Sequence, residues 1–344
     1  MNSLSPSAAC QVSIIVKALN EESRIAACLR SALAALEGLS GEVILADSVS
    51  TDATVAIASA MAVKVVQFSA VRDRGCGAAL QLGYQYARGQ YLYVLDGDMT
   101  LEPGFLQQAL AYLQRHPEVA GVGGKLIDQE VRNVADKLRV AHYGALTEER
   151  SVAVLGGGGL YRADAVAQVG YLSNRWLPAF EEAELGARLL AAGWRLVRLP
   201  QPAVRHCGHD ETSWQLMRRQ WRSGRIEASG RFLRAAMGRA WQSQAVRACW
   251  FVFAAPLLYL SALMAGGLAV LAGGAFWPAL GAGLAAAWGG AAGLLIWRKR
   301  NWHEALISVV GWHLFALGAA RGFCRPAGDP REPIAARVIS DKSA

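Results

Sequence analysis

Two aspartates one residue apart, Asp96 and Asp98 around Gly97, close the apolar run Tyr91-Leu92-Tyr93-Val94-Leu95. Carboxylates so spaced at the exit of a buried strand make an oxygen-rich site for a hard divalent cation, Mg2+ or Mn2+. Such an ion is commonly held by one or two carboxylates together with substrate phosphates. There it would neutralise charge on a departing phosphate, so the triplet points to chemistry on a nucleotide diphosphate. Asp-Gly-Asp also serves as a polar turn after a strand. Its neighbours must decide between the two.

Those neighbours lie on elements that alternate. Val12-Ser13-Ile14-Ile15-Val16 is a short apolar run suited to a buried parallel strand. Apolar residues then recur at Ile25, Leu29, Leu33 and Leu36, one face of an amphipathic helix. Residues 42–46 predict a second strand, 52–61 a second helix, 63–66 a third strand, 78–88 a helix and 90–95 a fourth strand. The alternation predicts an α/β domain with a parallel sheet covered by helices on both faces. In such sheets ligands bind beyond the carboxyl ends of the strands. Asn20-Glu21, Asp47-Ser48, Arg72-Asp73-Arg74 and Asp96-Gly97-Asp98 all fall there. Further on, the pattern predicts a helix over 103–115, a Gly-rich strand over 119–125, a polar stretch over 126–150, a helix over 180–192 and a last strand over 194–199.

Hydrophobic residues make up 53% of the 344 and charged residues 18%, with the long apolar stretches lying after Arg247. Residues 249–271 and 276–297 carry no charge and are long enough to cross a bilayer, which takes about 20 helical residues. Residues 305–320, interrupted by Gly311 and His313, are a third candidate that could cross, dip in or lie flat. Arg247 before the pair and Arg298-Lys299-Arg300 after it put both outer ends of the hairpin on the cytoplasmic side. The formal charge of +8 is concentrated in these clusters and in the arginines of 218–247, which suits anionic lipid headgroups. It tracks the apolar segments without any nucleic-acid motif, so no nucleic-acid partner is expected. Six scattered cysteines without Cys-x-x-Cys spacing read as reduced thiols. Met1 to Gln11 has neither the basic nor the apolar region of a secretory signal. The expected organisation is a nucleotide-binding domain over 1–210, a basic interface segment over 211–246, a membrane region over 247–323 and a loose tail over 324–344.

Four motifs in order resemble family 2 glycosyltransferases with the GT-A fold. They are Val12-Ser-Ile-Ile-Val-Lys-Ala-Leu-Asn-Glu-Glu22, Glu42-Val-Ile-Leu-Ala-Asp-Ser-Val-Ser-Thr-Asp-Ala-Thr54, Leu95-Asp-Gly-Asp98 and Phe180-Glu-Glu-Ala-Glu-Leu-Gly-Ala-Arg-Leu189. The resemblance covers roughly residues 11–210. It implies an α/β GT-A domain, Rossmann-like and binding a nucleotide sugar, followed by C-terminal transmembrane helices. It also implies an inverting, metal-dependent transfer from a nucleotide diphosphate sugar, a UDP-sugar first among candidates, with Mg2+ or Mn2+ as cofactor. By position, Glu21 and Asp47 would contact the nucleoside, Arg74 the base or diphosphate, and Asp96 the ribose and the metal shell. Asp98 would be the direct metal ligand. Glu182 aligns with the family's usual aspartate general base, one methylene longer here, and Glu181 is its rival.

The chemistry asks for such groups. An inverting displacement needs a base within reach of the acceptor hydroxyl and a cation on the diphosphate. Glu181, Glu182 and Glu184 also open a helix, where carboxylates are stabilised by the macrodipole, and Glu184 is expected to support the helix only. The glycines at 156–159 form either a flexible turn or a close-approach surface beneath donor or acceptor. His206-Cys207-Gly208-His209 lacks partner ligands for structural zinc. His206 is a candidate contact of the metal or diphosphate, or a plain loop histidine. Gln215 to Trp221 faintly echoes a processive-synthase signature, with Gln220 where that signature has Arg. An interfacial helix and non-processive transfer are the better reading.

The expected activity is transfer of one sugar (a hexose) to a membrane lipid-linked acceptor in cell-surface polysaccharide or glycolipid assembly. The protein would sit in a bacterial-type inner membrane, multi-pass, with its catalytic domain in the cytoplasm. The alternative is a polyprenyl phosphate sugar synthase resembling dolichyl-phosphate-mannose synthase, whose acceptor phosphate is already ionised and needs a base less.

Overall fold

The computed structural model describes residues 10–208 and 211–343. The absence of a secretory signal expected over Met1 to Gln11 falls largely on residues 1–9, which lie outside the described residues, as does His209. The chain forms two compact units, Met1–Asp210 with Ala327–Ala344, and Glu211–Pro326.

The first unit begins with β1 (Val12–Ala18), α1 (Ile25–Ala35), β2 (Gly41–Asp47), α2 (Thr54–Ser59), β3 (Lys64–Phe68), α3 (Cys76–Tyr86) and β4 (Tyr91–Asp96). β3, β2, β1 and β4 lie side by side in that order, all parallel. Strands with both faces covered need continuous apolar runs. Val12, Ile14, Ile15 and Val16 of β1 and Leu92 to Leu95 of β4 are accordingly buried. The order 3-2-1-4 makes the gap between the carboxyl ends of β1 and β4 the point where the winding reverses, and ligands of open α/β sheets bind at such points.

The sheet continues through β5 (Met99–Leu101), α4 (Phe105–Arg115), β6 (Val119–Asp128), α5 (Val134–Gly144), β7 (Arg150–Ser151), β8 (Gly159–Arg162), α6 (Ala163–Gln168), α7 (Glu181–Ala191) and β9 (Arg195–His206). β8 pairs antiparallel with β4 and β6, and β6 runs parallel to β9. β5 and β7 each pair antiparallel with β9. The sheet is therefore mixed rather than all parallel. Residues 126–150, read as polar and irregular, contain α5, whose start is a reciprocal cap between Asn133 and Asp136.

The expected loose tail is instead ordered. β10 (Ala336–Asp341) pairs antiparallel with β3 and becomes an edge of the sheet. Ile334 is buried beside Phe68 and Leu82, and its backbone exchanges hydrogen bonds with the Gln85 side chain at 2.8 and 3.2 Å. The Pro-rich, charged composition hid an Ile-anchored segment followed by a short strand. Such an edge strand buries little and carries a weak alternation signal.

The second unit holds α8 (Ser213–Arg222), α9 (Ala228–Ala236), α10 (Gln242–Ala248), α11 (Ala254–Leu271), α12 (Phe276–Lys299) and α13 (Trp302–Phe323). α11, α12 and α13 are each long and apolar enough to cross a membrane. α11 begins at Ala254 rather than 249, after a 3-10 turn over Trp250–Val252, with Pro256 in its first turn. α13 runs 22 residues, longer than the expected 305–320, because Asn301 caps it with a side-chain bond from the Glu304 amide.

Candidate active site

The loops leaving β1 and β2 are stitched together. The Asn20 amide donates to Ser50 Oγ at 2.9 Å, and Asn20 Oδ1 accepts from the Thr51 amide at 2.8 Å. The Glu21 amide donates to Thr54 Oγ1, the Glu22 amide to Asp52, and the Ala53 amide back to Glu22. Asn20 and Val49 both take left-handed backbone conformations here, as does Phe180 just before α7. Such geometry is tolerable for Asn and costly for a β-branched residue. Its clustering at one rim of a sheet is the usual mark of a shaped functional edge.

Register then aligns the charged groups. Lys17 on β1 stands beside Asp96 on β4. The Lys17 ammonium lies 3.1 Å from Asp96 Oδ1 and 2.5 Å from Glu181 Oε1 at the start of α7. One partly buried cation thus ties the Asp-Gly-Asp turn to the Glu-Glu helix start. Burial works against the Lys17 charge, but Asp96 and Glu181 more than compensate and hold its pKa well above the ordinary lysine value. Lys17 drew no functional reading from the sequence, because a lone lysine in a strand looks like edge decoration. Its position inside an otherwise apolar β1 was the available signal.

Asp98 faces the far side of the crevice. Pairing of β5 with β9 sets Met99 opposite His206, and pairing of β6 with β9 sets Asp128 opposite the same histidine. His206 Nε2 lies 3.3 Å from Asp98 Oδ2, and His206 Nδ1 lies 2.7 Å from Asp128 Oδ1. Burial opposes charging of this imidazole, and the two carboxylates outweigh it and raise its pKa. Asp128 is itself gripped by Arg139, whose Nε and Nη2 each donate at 2.7 Å. Asp128 and Arg139 escaped sequence reading because they lie on β6 and α5, inside the stretch that looked featureless.

Glu21 is buried at the same rim. Burial first, then the Asp98 and Asp96 carboxylates, push its pKa up to about 7 against the pull of Arg24. Gly97 leaves room for this crowding, since a Cβ there would meet Ala18 Cβ and Glu21 Cγ at 3.2 Å.

The two opening glutamates of α7 differ. Glu181 is committed to Lys17. Glu182 is raised to about 7 by burial, with Glu181 and Asp96 adding to the shift and Lys17 opposing it. Its carboxylate faces Gly156, where an added Cβ would sit 3.3 Å from the Tyr143 hydroxyl, 3.8 Å from Arg198 Nη2 and 3.9 Å from Glu182 Oε2. Gly156 has φ +61°, so the glycine serves both the backbone and the opening beside Glu182. Glu184 points away from the crevice, accepting from the Tyr171 hydroxyl at 2.5 Å and Arg188 at 2.8 Å.

Asp96, Asp98, Glu21, Glu181, Glu182 and His206 are therefore brought to one crevice. Asp47 is buried next to it, its carboxylate accepting from the Ser50 amide and hydroxyl and from Gln67 Nε2 at 2.8 Å. Arg74 is exposed between the 3-10 turn Val71–Asp73 and α3. Among the described residues no group of three or more His, Cys, Asp or Glu side chains is gathered as a ready metal cage. The donor set Asp98 with His206, backed by Asp128, nevertheless suits Mn2+ or Mg2+ when a diphosphate supplies the remaining oxygens. Acceptance by Asp128 at Nδ1 directs Nε2 toward Asp98, the arrangement in which a carboxylate orients a ligating imidazole.

Residues 13–158 match the family described as Glycosyl transferase family 2, and residues 91–317 that described as Glycosyl transferase family group 2. The succinoglycan biosynthesis protein ExoO of Rhizobium meliloti is 38% identical over 100 residues, 29% of this chain and 28% of that one. The dolichyl-phosphate beta-glucosyltransferase of Drosophila melanogaster is 36% identical over 129 residues, 34% of this chain and 40% of that one. The chain thus spans well under half the length of either relative. Among solved structures, the mannosyltransferase PcManGT from Pyrobaculum calidifontis, in complex with GDP-Man and Mn2+, gives a TM-score of 0.58 at 18% identity. That likeness covers 92% of this chain and 88% of that one, and shows the GT-A fold.

Proposed function

We propose, from the premise that this chain belongs to the family 2 glycosyltransferases, that it moves one hexose with inversion from a nucleotide diphosphate sugar to a lipid-linked acceptor at a membrane. The observation that carries the reading is the Lys17 bridge, which gathers the acids of β4 and α7 into one crevice at the sheet's switch point.

In this reading Glu21, Asp47 and the exposed Arg74 shape the nucleoside side, Asp47 by holding the β2 loop through Ser50 and Gln67. Asp96 orients toward the ribose while fixed by Lys17. Asp98 and His206, with Asp96 nearby, would hold Mg2+ or Mn2+. When bound, that ion supplies charge neutralisation on the diphosphate. Glu182 is the general base, because a carboxyl poised near neutrality accepts a proton from an acceptor hydroxyl more effectively than an ordinary glutamate. Glu181, bound to Lys17, acts by positioning. Gly156 leaves open the space beside Glu182 that an acceptor hydroxyl would need.

The apolar hairpin of α11 and α12 and the arginine-rich segment before it support an inner-membrane, multi-pass setting with the catalytic unit, which β10 rejoins, on the cytoplasmic side. A UDP-sugar is the first donor to try. Membranes carrying the protein, incubated with radiolabelled UDP-sugars, should give an organic-extractable product that Asp98→Ala and Glu182→Gln abolish. Label confined to water-soluble oligosaccharide would overturn the lipid acceptor.

A second reading, a polyprenyl phosphate sugar synthase, draws support from the dolichyl-phosphate beta-glucosyltransferase relative. A phosphate acceptor is already ionised, so Asp98→Ala would then abolish transfer while Glu182→Gln spared it.

A further inference from the structure

Three apolar helices of the second unit could cross a membrane, and their packing on one another sets their courses apart. α11 and α12 form an antiparallel hairpin. The Phe276 ring occupies the place a Cβ on Gly266 would take, Gly283 lies against Ala262, and the Tyr259 and Trp288 rings are 5.2 Å apart. The end of α12 therefore returns to the level where α11 begins. Arg247 precedes α11, and Arg298, Lys299 and Arg300 close α12, so the positive charge at both outer ends marks that level as cytoplasmic. Only Arg300 and Asn301 separate α12 from α13. α13 starts on that side.

It also ends there. A Cβ at Gly318 would collide with the Ile226 carbonyl, one at Gly322 with the Glu227 carbonyl and one at Gly230 with the Ala319 carbonyl. Small residues allow this close approach of backbones. Ile226, Glu227 and Gly230 precede all three apolar helices, so they lie on the same side as Arg247. A 22-residue helix is about 33 Å long and would span a bilayer core of about 30 Å, with its two ends on opposite faces. Both ends of α13 are on one face. The chain beyond it agrees. β10 pairs with β3 inside the first unit, and one folded sheet lies on one side of a membrane, so the segment between the two parts of that unit crosses an even number of times. Were α13 to cross, residues 324–335, which form neither helix nor strand, would have to return through hydrocarbon with their backbone unsatisfied.

We infer that α11 and α12 cross the membrane and that α13 lies flat along its cytoplasmic face, with one apolar stripe set into the acyl layer of that leaflet. The two sides of α13 sort accordingly. Gly311, Gly318 and Gly322 share one side and are buried. Trp302, Leu306 and Leu317, spaced by four and eleven residues, fall on the opposite side and remain exposed. A helix held by one face with an apolar stripe on the other suits a lipid surface. His313 lies on the same stripe and joins it to the crossing hairpin. Its Nε2 is 3.0 Å from the Tyr259 hydroxyl, and its ring stacks on Trp288 with centroids 4.8 Å apart. The stripe is thus continuous with the part of the unit that enters the bilayer. This placement of α13 rests on the membrane setting proposed above.

The test uses the full chain in bacterial inner membranes. A membrane-impermeant maleimide is applied to spheroplasts or to inside-out vesicles, and labelling is read peptide by peptide by mass spectrometry. Three positions report: the native Cys324, exposed just after α13, Trp302→Cys at its start, and Ala275→Cys in the turn between α11 and α12. Cys324 and Trp302→Cys should label in inside-out vesicles and not in spheroplasts, and Ala275→Cys the reverse. Labelling of either end of α13 in spheroplasts, or of neither in vesicles, would overturn the flat helix. Labelling of Ala275→Cys in vesicles would instead overturn the membrane setting itself. Cys324 needs no substitution, so a variant that misfolds leaves that arm intact. Nitroxides at Leu306→Cys and, separately, Leu317→Cys, with the other accessible cysteines changed to serine, then read the depth of the stripe. Both should meet oxygen more than a water-soluble nickel chelate, and at the same depth. A crossing helix would separate them by about 16 Å, and free access of the chelate would put the stripe in water; either result overturns the inference. Sugar transfer enters neither readout.

Discussion

Lys17 Nζ and Glu181 Oε1, 164 positions apart in sequence, stand 2.5 Å from each other where β1 ends and α7 begins. A buried ion pair adds little over a well-packed apolar pair, but removing one partner leaves the other charge stranded. Lys17→Met should therefore destabilise the catalytic unit by about 3–5 kcal/mol and weaken donor binding, because Asp96 loses its anchor as well. Lys17→Met/Glu181→Gln should recover part of the stability. A double-mutant thermal unfolding cycle measures the coupling, and strictly additive losses would show that the pair does not act as a unit.

Glu182 and Glu181 should separate kinetically. Glu182→Gln is expected to lower kcat by about 10²–10⁴-fold with donor affinity unchanged, whereas Glu181→Gln should cost stability and donor affinity together. Single-turnover transfer and donor titration, run on both variants, distinguish base from positioning residue.

The pH dependence follows from the raised Glu182 value of about 7. A base must be ionised, so kcat/KM should climb as pH rises through about 7 and level off above it. Stability should run the other way. The folded state holds this proton more tightly than the unfolded chain, so ionisation between about 4.5 and 7 costs folding free energy. Glu182→Gln removes that cost and should melt higher than the parent at pH 8, and an unchanged difference between pH 5 and pH 8 would refute it.

His206 and Asp128 give a metal-affinity prediction. Asp128→Asn should weaken Mn2+ binding by about 10–100-fold through misorientation of the imidazole, and His206→Ala by at least as much. Calorimetric Mn2+ titration in the presence of a nucleoside diphosphate reads this without any turnover.

The returning C-terminal segment is expected to stabilise the catalytic unit. Ile334 is almost fully buried against Phe68 and Leu82, and Ile334→Ala should cost about 2–5 kcal/mol. Chemical denaturation followed by a probe in the first unit checks it. A loss below half a kilocalorie would mean that β10 is docked only weakly.

The strand-helix alternation, the acidic turns at strand ends, the Glu-Glu helix start and the apolar C-terminal helices were all legible from the amino-acid order. Each is a local signal: the apolar periodicity of β1 and α1, a carboxylate pair around Gly97, an uncharged run long enough for a bilayer. What the tertiary structure alone decided is which of these charged groups meet. Lys17 finds Glu181, and His206 finds Asp128, through strand register and chain return. Likewise β10 pairs with β3, although the separate unit Glu211–Pro326 lies between them in sequence. Contacts between residues this distant depend on the packing of the whole sheet, and no window of neighbouring residues encodes them.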